Sequence, residues 1–102
     1  EATGYESFAT TPNSGGAETS TTGFVIRVSN ASAILNGVLL LQLIDDVAFT
    51  WTGYGNLSLH TGLDTISITS GVKSLTSELD RVNITRTGSN TFDAGSVNIE
   101  YQ

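Results

Sequence analysis

Hydrophobic and polar positions alternate with a period of two along most of this chain. Phe24, Ile26 and Val28 share one parity, and the same pattern returns over 65–69 and 96–101. A period of two is typical of a β-strand with one buried face. Such segments recur about every 8–12 residues with turn residues between them, as in sandwich folds. The pattern therefore predicts an all-β fold, either an antiparallel β-sandwich or a jelly-roll-like arrangement.

The stretch 34–44 is the most apolar part of the chain. Its continuous apolar middle predicts a strand that is covered on both faces. Asp45 and Asp46 follow it, and two residues between strands is the length of a tight hairpin turn. The glycines and asparagine within 53–56 predict a break, after which strands should resume. Residues 73–86 are expected to form one long bent strand or two short ones.

The first 22 residues contain turn formers and no apolar period. Residues 1–22 are therefore expected to be largely loop, with Tyr5 and Phe8 as anchors. At 102 residues the chain has room for one core, so 1–102 is expected to be a single domain. Glu1 is not a methionine and no charged-then-apolar leader follows it, which predicts that the native N-terminus was removed or lies further upstream and that the chain is a fragment of a longer protein.

Charge and composition narrow the classes of function. Ten acidic residues against four basic ones give a formal net charge of −6. The basic residues are dispersed, which disfavours nucleic acid as a partner, because phosphate binding needs clustered Lys and Arg. Cysteine is absent, so disulfides and thiolate metal sites are excluded. The apolar run at 38–44 is far shorter than the ~20 residues that cross a bilayer, so no membrane insertion is expected.

Candidate catalytic groups are few. His60 is the single histidine, and the sequence contains no nucleophile elbow, phosphate-binding glycine loop or metalloprotease helix. The aspartates near predicted strand ends follow no known calcium-loop spacing and are expected to be solvated turn residues. These aspartates are Asp45, Asp46, Asp64, Asp80 and Asp93. The sequence therefore predicts a protein that is not an enzyme and that uses no metal or cofactor.

The segment 52–56 is the one that packing explains least, and it is expected to be an exposed loop. Recognition in a sandwich falls on its loops, and two glycines leave the backbone free to present an aromatic ring there. Aromatic rings stack on sugars, and amide or imidazole groups bind sugar hydroxyls. The candidate receptor-binding residues are accordingly Tyr54, Asn56 and His60.

Trp51 leaves two alternatives open. It can extend an exposed aromatic platform beside Tyr54, or it can belong to a core face with Val47 and Phe49. The core alternative is favoured, because large aromatic side chains are mostly buried.

Three stretches in the last third of the chain resemble a known family. They are Ser70-Gly71-Val72-Lys73-Ser74-Leu75, Leu79-Asp80-Arg81-Val82-Asn83-Ile84-Thr85 and Asn90-Thr91-Phe92-Asp93-Ala94-Gly95-Ser96-Val97-Asn98-Ile99. They are similar to the C-terminal region of bacteriophage tail-fibre and appendage proteins. The run from Thr91 to Gly95 is the most specific part, whereas 86–89 is shorter than the corresponding loop in many of those proteins.

The resemblance implies a virion-surface, extracellular module that assembles as a homotrimer and contacts other virion proteins. It also implies attachment to a glycan or protein on the host surface. The alternative is a purely structural subunit of a virion or extracellular filament without its own receptor site. A glycan depolymerase is the enzymatic alternative, and it lacks paired carboxylates in a recognisable context.

The Thr-Phe-Asp run also has a structural interpretation that needs no ligand. Phe92 is expected to plug the end of a sheet, and the Asp93 carboxylate to cap backbone amides of a turn. Gly95 is expected to take a positive φ, which glycine adopts without steric cost. These three residues are therefore predicted to form a structural turn.

Overall fold

In the residues that the structure describes, all regular structure is β. The computed structural model describes residues 1–13, 15–28, 32–60, 65–87, 91–92 and 94–101. Within them, five strands form one antiparallel sheet in the order β2-β1-β5-β4-β3. The strands are β1 Tyr5–Thr11, β2 Gly16–Ser20, β3 Ile34–Asp45, β4 Thr50–His60 and β5 Thr65–Ser74. The predicted all-β antiparallel class is confirmed. No helix in this part of the chain is long and apolar enough to cross a membrane.

The two faces of the sheet are covered differently. The register pairs odd-numbered residues of β1, β5, β4 and β3 with one another, for example Ala9 with Thr69 and Leu59 with Leu35, as far as Leu43. We call the face that these residues form the covered face, because segment 23–28 crosses it. The even-numbered residues of the same strands form the open face.

Phe24 of the covering segment lies over two glycines. A Cβ added at Gly53 would lie 2.9 Å from Phe24 Cδ1, and one added at Gly71 would lie 3.0 Å from the same atom. The Phe24 ring also meets the Tyr5 ring edge-on, with centroids 5.3 Å apart and planes at 87°, a favourable aromatic arrangement. Glycine in these strands therefore provides room for a ring.

Hydroxyl groups of the covered face bind the backbone of the covering segment. The Val25 N–H donates to Ser7 Oγ at 2.9 Å, and Thr69 Oγ1 donates to the Val25 carbonyl at 2.6 Å. The Arg27 Nε–H donates to Thr11 Oγ1 at 3.1 Å. Side chains thus satisfy both backbone groups of Val25 without a partner strand, and 24–28 forms no strand. The strand predicted there is therefore not formed.

The first hairpin corrects the prediction that 1–22 is largely loop. β1 and β2 pair antiparallel from Ser7 with Ser20 to Thr11 with Gly16. The covered residues of β1 are small or hydroxylated, so this strand carries no apolar alternation that would predict it. Threonine nevertheless favours extended backbone, which the pairing uses.

The second hairpin, between β3 and β4, was predicted, but its turn is longer than two residues. The turn occupies 46–49, and Asp45 Oδ1 accepts hydrogen bonds from the N–H groups of Val47 at 2.9 Å and Ala48 at 3.0 Å. These bonds from Ala48 and Val47 lower the pKa of the Asp45 carboxyl, because they stabilise its charged form. Phe49 closes the turn with a φ of 50°.

The hydrophobic core is small. Among the described residues, the buried apolar side chains are Ala9, Leu57 and Leu59. The prediction that β3 is covered on both faces is wrong, because β3 is an edge strand and its residues Val38 and Leu40 are exposed. Many of the large apolar side chains are thus exposed in the single chain.

Beyond β5 the chain leaves the sheet. The described residues of 75–101 form no strand, so the strands predicted for the rest of 73–86 and for 96–101 are not observed. The alternating apolar residues of 96–101, which a strand with one buried face would cover, are exposed: Val97 at 67%, Ile99 at 62% and Tyr101 at 93%. An alternating segment becomes a strand only when another strand pairs with it. The segment 96–101 has the alternating pattern of a strand, but in the described structure no other strand pairs with it.

Candidate interaction surface

The open face carries exposed apolar side chains from adjoining strands. Leu40 lies opposite Tyr54 across β3 and β4, and Asn56 lies between Val38 and Ile68. Val38 is 61% exposed, Leu40 49% and Ile68 42%. We call the following residues the apolar patch: Phe8, Val38, Leu40, Tyr54, Ile66 and Ile68. The polar residues Asn56 and Ser70 lie between members of this patch, and apolar side chains grouped on one exposed face make that face a candidate interaction site.

The three receptor candidates lie on a strand and not in a loop. The segment 52–56, predicted to be a loop, is the middle of β4, because its glycines face the covered side and make room there. Tyr54, Asn56 and His60 are even-numbered and exposed, so all three belong to the open face. The structure thus places them on one surface with the apolar patch, although the loop expected to present them does not exist.

His60 and Tyr54 occupy different parts of that surface. A shallow depression of about 710 Å³ lies at the His60 end of β4. It is lined by Pro12, Asn13, Ser58, Leu59, His60, Thr65 and Ile66. The side-chain oxygen Oδ1 of Asn13 accepts hydrogen bonds from the Thr65 hydroxyl and the Ile66 N–H, which joins the β1–β2 turn to β5. Tyr54 is six residues along β4, about 20 Å away at strand spacing, and lies outside the depression.

Trp51 faces the covered side. It lies opposite Lys73 in the register, and its half-buried indole has a buried Nε1 without a hydrogen-bond partner in the described part of the chain. Its expected neighbours Val47 and Phe49 lie instead in the turn after β3. Trp51 is therefore a packing residue and does not form an aromatic platform with Tyr54.

The Thr-Phe-Asp run does not form a buried plug. Phe92 is 67% exposed, so the prediction that its ring closes a sheet end is wrong: the chain has left the sheet before this point. Asp93 lies outside the described residues. Gly95 has a φ of 129°, in the region that favours glycine.

Ion pairs are found on the covered side of the sheet. Arg27 lies 3.0 Å from Glu18, and the buried Lys73 ammonium lies 3.5 Å from the Glu1 carboxylate. Hydrogen bonds from Thr76, and then the Lys73 charge, lower the pKa of Glu1.

The remaining aspartates show no shared site. Asp80 pairs with Arg81 at 3.0 Å, and the hydrogen bonds and charge of that guanidinium lower the pKa of Asp80. Asp46 lies in the turn after β3, whereas Asp64 lies outside the described residues. Over 1–13, 15–28, 32–60, 65–87, 91–92 and 94–101, no group of three or more His, Asp or Glu side chains could hold a metal ion.

Sequence reasoning missed the contribution of β3 to the surface. Val38 and Leu40 were assigned to a buried strand, because a continuous apolar run looks the same whether its cover comes from this chain or from another. No signal in the sequence separates the two cases. Only the position of β3 at the edge of the sheet shows that this chain does not cover both faces of the strand.

Comparisons with known proteins do not place this chain in a family. No family model, no curated protein and no solved structure matches it. What the open face can do is therefore inferred from its own residues.

Proposed function

We propose that this chain is a non-enzymatic assembly module of a virion appendage, in which copies pack together through the open face of the sheet. The observation that carries the proposal is the apolar patch. Its β3 and β5 residues Val38, Leu40 and Ile68 are 42–61% exposed, while the buried apolar residues of the described chain are only three. Such side chains are normally inside a protein or inside an interface.

The energetics favour completion of the core by a neighbour. Fully burying a Val, Leu or Ile side chain contributes about 1.5–3 kcal/mol relative to leaving it exposed. Small domains bury a smaller fraction of their surface than large ones do, and oligomerisation is one way in which a domain gains further buried area. Burial of the patch by another copy would therefore add to a small core.

The setting of such a module comes from the resemblance of the last third of the chain to phage tail-fibre proteins. It supports a homotrimer on the virion surface, outside the cell, in contact with other virion proteins. The neutral patch and the dispersed basic residues fit a protein partner better than nucleic acid.

Light scattering on the full chain across a micromolar concentration series tests the proposal. A stable multimer is expected, and Val38→Lys with Ile68→Lys should shift it towards the monomer, because each buries a charge in the interface. Ser77→Lys with Thr85→Lys, outside the sheet, is the charge-matched control and should leave the mass unchanged. A wild-type chain that stays monomeric throughout would overturn the proposal.

Attachment to a host-surface glycan is the second candidate function, and the depression beside His60 is the observation that favours it. Tyr54 and Asn56 would contribute from the same face. Since Tyr54 lies opposite Leu40 in the apolar patch, assembly and attachment compete for its ring. Tyr54→Ala should lower host-cell adsorption about tenfold, equivalent to ~1.4 kcal/mol, at unchanged oligomeric mass. Lost mass with unaltered adsorption per assembled particle would assign Tyr54 to assembly alone.

A further inference from the structure

The two edges of the sheet are protected unequally. β2, at one edge, has five residues and carries Glu18. β3, at the other edge, has twelve residues, and 34–44 within it contains neither proline nor a charged side chain. An edge strand leaves a row of backbone N–H and C=O groups unpaired, and natural proteins usually shorten or charge such edges. β3 is therefore an open template for another strand.

A segment of the same chain has the properties of the missing strand. Residues 94–101 are exposed, with Val97, Ile99 and Tyr101 alternating with Asn98 and Glu100. Within the described structure β3 pairs only with β4, and this segment forms no strand. Its alternating pattern is thus present without the ladder that such a pattern requires.

We infer that residues 96–101 of one copy add as a strand to the free edge of β3 in a second copy. The inference rests on the proposed self-assembly and names the contact that accompanies packing of the open faces. At strand spacing, six residues span about 20 Å and the twelve of β3 about 40 Å, so the segment fits within the edge.

Side chains and charge suit this addition. In one alignment Val97, Ile99 and Tyr101 continue the row of leucines that β3 presents on the covered side, which includes Leu39 and Leu41. Neighbouring side chains on one face of a sheet stabilise a strand pair, and like charges opposite one another weaken it. With no acidic residue in 34–44, Glu100 meets no like charge along that part of the edge.

Amide hydrogen exchange on the full chain tests the inference. The alternate β3 amides that point away from β4 should be protected at concentrations where the chain is assembled, and dilution to monomer should remove that protection. Ile99→Pro removes one N–H and restricts the added strand, so those amides should exchange about tenfold faster or more, as expected when a strand pairing is lost. Thr87→Pro, outside the segment, is the control and should leave the protection intact.

Three outcomes would overturn the inference. If the β3 amides exchange equally in Ile99→Pro and wild type while light scattering still finds a multimer, strand addition is wrong and assembly through the open face stands. If protection persists in the diluted monomer and Ile99→Pro removes it, the segment pairs with β3 of its own chain. A wild type that is monomeric at every concentration contradicts both the inference and the proposed function.

Discussion

The covered and open faces of the sheet differ in what lies against them and in the side chains they present. On the covered face, hydroxyls such as Ser7 and Thr69 bind the backbone of segment 23–28, and glycines make room for the Phe24 ring. On the open face, Val38 and Leu40 face outward and are 61% and 49% exposed. The hydrophobic pattern alone therefore does not identify which face a chain buries by itself.

This difference has an energetic reason. Hydrogen bonds from side chains to a crossing segment are directional, so they fix one conformation, although each contributes only about 0.5–1.5 kcal/mol net. Apolar burial is less directional and scales with area. The chain thus uses specific polar contacts within itself and leaves apolar area for a partner.

The largest effect is expected where the covered face is most tightly packed. Leu59 is 1% exposed, so Leu59→Ala should lower the free energy of unfolding by about 2–5 kcal/mol through the cavity it leaves. Phe92→Ala, on an exposed ring, should change it by no more than about 0.5 kcal/mol. Urea denaturation at monomeric concentrations measures both. Equal losses would show that the region after β5 packs as tightly as the covered face.

Glycine to alanine changes test whether the Phe24 ring needs the space over β4 and β5. In Gly71→Ala the new Cβ would lie 2.7 Å from the Glu6 carbonyl and 3.0 Å from Phe24, so overpacking should lower stability by about 1–3 kcal/mol. Gly23→Ala meets no atom within 4 Å and serves as the control. Thermal unfolding compares the two variants. Equal melting temperatures would mean that the Phe24 ring does not occupy the space over Gly71.

Removing one hydroxyl tests the polar contacts of the covered face. Thr69→Val keeps the shape of the side chain but leaves the Val25 carbonyl without its 2.6 Å bond. The expected loss is about 0.5–1.5 kcal/mol in the free energy of unfolding. Ser70→Ala, on the open face of the same strand, is the control and should have a smaller effect. A more stable Thr69→Val chain would show that the hydroxyl is not needed to hold segment 23–28.

The smallest expected effect is on acid stability at the β3–β4 turn. The pKa of Asp45 is lowered by the N–H groups of Ala48 and Val47, so its contribution is present above the ordinary aspartate pKa of about 3.9. It is lost as the pH falls through the lower pKa of the folded state. Asp45→Asn keeps an accepting oxygen but cannot titrate. The melting temperature of this variant should therefore depend less on pH below about 4 than that of the wild type. Asp46→Asn, the control, should keep the wild-type slope.

The sequence predicts those strands whose own apolar pattern reveals them. The β3–β4 hairpin and the first half of β5, 65–69, follow from their apolar alternation or run. β1 could not be predicted, because its buried residues Ser7, Ala9 and Thr11 are small or polar. The sequence predicts a break at Gly53, because the space that this glycine leaves for the Phe24 ring is visible only in the tertiary structure. The candidate residues Tyr54, Asn56 and His60 share a face, but periodicity could not reveal that the face lies on a continuous strand.

Thiol reactivity on the open face tests the central claim most directly. The chain has no cysteine, so Ile68→Cys introduces a single thiol within the apolar patch, and a thiol behaves there as a small apolar group. As the concentration rises into the assembled range, alkylation of Cys in this variant should slow about tenfold, equivalent to ~1.4 kcal/mol, while alkylation of the Thr85→Cys control stays constant. If both thiols react at the same rate at every concentration, although the chain is assembled, the open face is not the contact between copies.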